Sequence, residues 1–131
     1  MIDVETKIFN RMYGSVAPLC AKNQFVSNYE TKPPAFPAAA LFEIENVTIR
    51  NRQSSTPVEN FARITYQFEG YATSRSECKK LMNAGDEAMI AMNFSRMSGP
   101  HIMNDGNTKV FRGVARYDAE VDSEGNLYRR R

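Results

Sequence analysis

Two segments of this chain alternate apolar and polar side chains over long stretches, and that period of two is the signature of β-strands with one buried face. In "NFARITYQFEGYATS", Ala62, Ile64, Tyr66, Phe68 and Gly70 fall on one side, with Arg63, Thr65, Gln67 and Glu69 opposite. In "KVFRGVARYDAEVDSEGNLYRRR", Phe111, Gly113, Ala115, Tyr117, Ala119 and Val121 point one way. Arg112, Val114, Arg116, Asp118 and Glu120 point the other. The turn "DSEGN" has Gly125 where a positive φ is needed, so "LYRRR" returns as a short strand.

"FPAAALFEIEN" reads as a further strand, with Phe36, Ala38, Ala40, Phe42 and Ile44 towards the core and Glu43 and Glu45 away from it. Phe25 to Tyr29 suggests a short edge strand, and Phe94 to Met103 a weaker strand interrupted at "SGP" before the turn "NDGN". The polar segment "VTIRNRQSSTPVEN" reads as a long hairpin connection whose arms extend the flanking strands, and connections of that length usually serve a function.

Two helices complete the order. The first carries Val4, Ile8, Met12, Phe9, Tyr13 and Val16 at helical spacing, capped by Asp3 and stopped at Gly14. The second opens on Ser74 and Glu77 at capping-box spacing and packs through Cys78, Leu81, Met82, Gly85, Met89 and Met92. A glycine in mid-helix costs about 1 kcal/mol relative to alanine, so Gly85 implies a close approach to the sheet. The expected fold is α+β. Residues 1–131 form a single domain, a single antiparallel or mixed β-sheet with two α-helices packed on one face. Phe42, Ile44, Ile64, Tyr66, Phe68, Phe111 and Tyr117 are expected under Leu81, Met82 and Met89.

Charge narrows the function. Seventeen basic against fifteen acidic residues leave a net +2, too little for a chain whose main task is to grip nucleic-acid phosphates. No stretch approaches the roughly 20 apolar residues of a membrane span, and "MIDVETKIFNRMYG" lacks the pattern of a secretion signal. Cys20 and Cys78 are far apart and read as buried thiols, which points to folding in a cytoplasm.

Asp118, Glu120 and Asp122 share one side of a strand, as ligands of a hard cation would, but a solvated strand face alternates charges by default. Arg112 and Arg116 continue the same row, so no metal site is expected there. His101 is the only histidine and has no nucleophile at a telling spacing, which leaves it a structural or surface role. No nucleotide-binding, hydrolase or metalloprotease motif occurs. Neither an enzymatic activity nor a cofactor is expected.

Taken in order, the amphipathic helix, "YETKPPAFPAAALFEIEN", "NFARITYQFEGYATSRSECKKLMNAGDEAMIAMNFSRM" and "VFRGVARYDAEVDSEGNLYRRR" resemble the tail terminator, or tail completion, proteins of long-tailed bacteriophages. These are also called minor capsid proteins. The likeness covers nearly the whole chain and rests on order and spacing rather than on one motif. It implies a virion structural protein without catalysis, located at the head-proximal end of the tail and present in the host cytoplasm during assembly. Such proteins form a homo-oligomeric ring, usually a hexamer, on the last ring of the major tail tube protein. The ring stops tube polymerisation and offers a docking interface to the head-completion or neck protein. Genomic DNA passes through it without sequence-specific binding, and no membrane is involved. A near-neutral chain suits such a conduit, because tight phosphate binding would hinder passage.

Two other readings stand beside it: a head-completion or stopper subunit of the same neck, and a small nucleic-acid-binding or metal-dependent nuclease domain resting on the acid row and the arginine tail. In the terminator reading the candidate assembly interface comprises Arg50 and Arg52 of the long connection with Arg112, Arg116, Asp118 and Glu120 of the last long strand. Two positive charges precede two negative ones there, and a surface divided by sign can meet its complement in a copy related by rotation.

Overall fold

The computed structural model describes residues 2–22, 24–27, 35–49, 61–104 and 109–129. Along the chain lie α1 (Glu5–Val16), a 3-10 turn (Ala17–Leu19), β1 (Phe25–Val26), β2 (Ala38–Thr48), β3 (Phe61–Ala72), α2 (Arg75–Ala91), β4 (Ser95–Asn104), β5 (Phe111–Asp122) and β6 (Leu127–Tyr128). The six strands form one mixed, curled sheet in the order β1-β2-β3-β5-β4, with β6 on the stretch of β5 edge beyond β4. Only β1 runs parallel to its neighbour. The fold is α+β, with both helices over one face of the sheet.

Residue pattern explains each element. Ser74 Oγ accepts from Glu77 N at 3.2 Å and starts α2, which buries Cys78, Leu81, Met82, Gly85 and Met89 against the sheet. α1 buries Ile8, Met12 and Val16. Tyr13 stays 48% exposed, so the stripe of α1 is narrower than its apolar content suggests. Asp3 Oδ1 accepts from Glu5 N at 3.1 Å, but the N-cap position itself falls on Val4, which has no capping side chain. Gly14 does not end the helix, which runs through to Val16.

β3 and β5 pair residue for residue from Phe61↔Asp122 to Ala72↔Phe111. Ala62, Ile64, Tyr66 and Phe68 on β3 join Ala115, Tyr117, Ala119 and Val121 on β5 in the core. Tyr66 meets Phe94 edge-on, with ring centroids 5.6 Å apart. Tyr117 crosses to α2 through a 2.7 Å bond from its hydroxyl to Asp86 Oδ1.

β2 departs from the expected side-chain assignment. Ala39 and Leu41 pair with Gly70 and Phe68 and belong to the core, so Phe42 lies on the helix-free face and Ile44 is 40% exposed. The cause is twofold. Ala38 to Leu41 are buried on both faces, which removes the contrast that alternation relies on. The register then shifts between Glu43 and Glu45, and such a bulge inverts the phase beyond it. The arms of the long connection do extend the strands: Val47 and Thr48 belong to β2, and Ile49 N donates to Phe61 O at 2.9 Å.

Candidate assembly surface

The face without helices is built mainly by the outward residues of β3, β5 and β4. Register places Gln67 opposite Arg116, Glu69 opposite Val114 and Tyr71 opposite Arg112. Glu69 is only 6% exposed, yet its carboxylate is fully engaged. Arg112 donates to Oε1 from Nε at 3.0 Å and from Nη2 at 2.8 Å, and the Tyr71 hydroxyl donates to the same oxygen at 2.6 Å. Gln67 Nε2 donates to Oε2 at 2.6 Å, while Gln67 Oε1 accepts from Arg116 Nε at 3.0 Å. One amide therefore couples the second arginine to the ion pair of the first.

The electrostatics follow from that geometry. Burial alone would push the Glu69 carboxyl up, but the bonds from Tyr71, Arg112 and Gln67 outweigh it and hold the group below the ordinary carboxylate range. Burial and the adjacent Glu69 carboxylate raise the Tyr71 phenol to about 12. β4 adds Ser98 beside Arg116, His101 beside Val114 and Met103 beside Arg112. With Gln67, these side chains line an open crevice of about 420 Å³.

The other half of the same face is acidic. Asp118, Glu120 and Asp122 occupy the outward positions of β5 there, opposite Thr65, Arg63 and Phe61. Arg63 pairs with Glu45 of β2 at 3.0 Å. Asp122 organises the β5–β6 turn: Oδ1 accepts from Glu124 N and Asn126 N, both at 2.9 Å, and Oδ2 accepts from Asn126 Nδ2 and the Tyr128 hydroxyl. Those bonds lower its pKa, and Gly125 in this turn has the expected positive φ of 86°. Among the described residues no group of three or more histidines, cysteines or acids is placed to hold a metal ion.

Of the expected interface residues, Arg112, Arg116 and Glu120 lie on this face as anticipated. Asp118 shares the face but is only 5% exposed, flanked by its register partners Thr65 and Ser95, and so drops out of the exposed row. Arg50 and Arg52 lie outside the described residues. Comparison with protein-family models and with curated protein sequences gave no match. Gln67, Glu69 and Tyr71 were not singled out in the sequence, although their spacing in "YQFEGY" puts them on one strand face. Only the β3–β5 register shows that this trio holds the two arginines.

A second polar feature sits at the β2 bulge. Glu43 is the register partner of Tyr66, and Glu43 Oε1 and the Tyr66 hydroxyl are both buried. Neither makes a well-formed hydrogen bond among the described residues, though they lie close enough to influence each other's ionisation. Burial, and then the nearby Glu5 carboxylate, push the Glu43 carboxyl up. Among the described residues no helix is long and apolar enough to cross a membrane.

Proposed function

We propose that this chain is a tail-terminator subunit of a long-tailed bacteriophage, forming a ring on the tail tube that stops its growth and receives the head. The observation that carries the reading is the helix-free face of the sheet. One half presents Arg112 and Arg116, the other Glu120 and the Glu45–Arg63 pair, around a buried centre of Thr65, Glu69 and Asp118. Such a face suits contact with a neighbouring copy or with the tube end, and the chain's element order resembles that of the terminator family. Its role is structural. Exposed ion pairs contribute only about 0–1 kcal/mol each, so repetition around a closed ring has to supply the affinity.

The test is electron microscopy of particles assembled without this chain. Tails of uncontrolled length beside unattached heads are expected. Tails of normal length beside unsealed heads would refute termination and assign the chain to the stopper position instead. The face itself is tested by the charge swap Arg116→Glu with Glu120→Arg, which leaves the buried Asp118 between them unchanged. The swapped chain should melt close to the wild type yet fail to cap purified tail tubes.

A further inference from the structure

We propose that the crevice between β3, β5 and β4 is a receptor for a single carboxylate, presented by an acidic and partly apolar segment of a partner protein. This rests on the reading of the helix-free face as the assembly surface and names the chemistry of what one half of it holds.

Arg116 is exposed, but it is not a loose surface cation. Its Nε is committed to Gln67 Oε1, and Gln67 is itself fixed through Nε2 to the buried Glu69. The guanidinium is thereby steered while Nη1 and Nη2 have no partner among the described residues. A planar fork held in this way loses little freedom when it meets a carboxylate in bidentate fashion. Ser98 is the register partner of Arg116, and His101 lies across from Val114, so a hydroxyl and an imidazole border the same space.

Net charge selects the ligand. Arg112 is already paired with Glu69, so two guanidiniums against one carboxylate leave one positive charge in the crevice, counting the histidine as neutral. A monoanion balances that charge. A phosphate dianion or a run of nucleic-acid phosphates would place surplus negative charge beside a buried carboxylate that cannot move away. Val114 and Met103 contribute apolar surface beside the arginines, which fits the methylenes of a glutamate and an aliphatic neighbour.

The test uses the purified chain and a short peptide of alternating glutamate and leucine, followed by the Nε–Hε signals of the arginine side chains in NMR. The Arg116 signal should shift on titration, and binding should weaken as salt is added. Arg116→Ala should weaken it about tenfold, the loss expected when a charge-assisted hydrogen bond is removed. Gln67→Ala, which frees the guanidinium, should weaken it in the same direction. Absence of an Arg116 shift at about millimolar peptide would overturn the proposal. So would equal binding of a glutamine–leucine peptide, or a short DNA duplex bound at Arg116 as tightly as the acidic peptide. Because no tail tube is involved, failure here with tube capping still lost in the charge-swapped chain removes the crevice and keeps the assembly face. Binding at Arg116 with normal capping by that chain keeps the crevice and removes this face from the contact with the tube.

Discussion

Adding one methyl group at Gly85 should weaken the protein although it improves the helix. An alanine Cβ at this position would lie 2.2 Å from Phe68 Cε2, 2.6 Å from Cζ and 2.7 Å from Cδ2. Comfortable carbon contacts are about 3.5–4.0 Å, so ring and helix would have to separate by more than an ångström. Neither is free to move. Phe68 is fully buried on β3, between β2 and β5, and α2 is tied to the sheet by the Tyr117–Asp86 bond and the Arg96–Asp86 pair. Overpacking of this kind costs about 1–3 kcal/mol and sometimes more, against a propensity gain of about 1 kcal/mol. The severity of the contact puts Gly85→Ala at the upper end, a net loss of roughly 1–2 kcal/mol. Gly14→Ala is the control, because nothing lies within 4 Å of its Cβ position and α1 is continuous there. It should gain about 0.5–1 kcal/mol. Urea melts of the two variants should therefore move in opposite directions. Phe68→Leu, destabilising alone, should absorb most of the Gly85→Ala penalty when the two are combined. If Gly85→Ala stabilises as Gly14→Ala does, α2 does not touch the sheet at this point and the packing described above is wrong.

Two further predictions concern ionisation. The depressed Glu69 carboxyl contributes stability that is fully present above the ordinary carboxylate pKa and is lost as pH falls through its lower folded value. Glu69→Gln should cost about 2 kcal/mol at neutral pH through the weakened bonds to Arg112 and Tyr71, and the gap to the wild type should narrow in acid melts. A gap independent of pH would contradict the assigned network. Glu43 carries the opposite sign, because its raised folded pKa makes the ionised form a burden above that value and none below the ordinary range. Glu43→Gln should therefore raise the melting temperature at neutral pH, with the advantage fading on acidification, and a destabilised variant would show that the carboxylate is well solvated or paired.

How far the sequence could be read depended on whether one face of each strand differed from the other. β3 and β5 each carry a polar row opposite an apolar one, and their side-chain directions and the core they build were legible. α2 was equally clear, since capping-box spacing marked its start, a methionine-rich stripe its packed face, and a costly mid-helix glycine the close approach to the sheet that Gly85 makes against Phe68. β2 failed because Ala38 to Leu41 are buried on both faces, so no contrast existed, and the bulge at Glu43 to Glu45 reversed whatever phase was assumed. The helix-free face, the candidate assembly surface, shows a different limit. Its charged residues were visible as a row along β5, but what each charge does is decided across strands. Glu69 neutralises Arg112, Gln67 steers Arg116, and burial removes Asp118 from the exposed row. These relations are set by the pairing of β3 with β5, and β3 reaches β5 only after α2 and β4 have intervened in the chain. A single residue of slip would have turned Gln67 and Glu69 towards the helices. The buried half of the sheet opposes that slip: Tyr66, Phe68, Ala115 and Tyr117 are fully buried and a slip would turn one strand's share of them outward, so the same burial aims the polar half outward. The core thus specifies the surface, and a change such as Gly85→Ala that shifts β3 against α2 should also loosen the tether on Arg116.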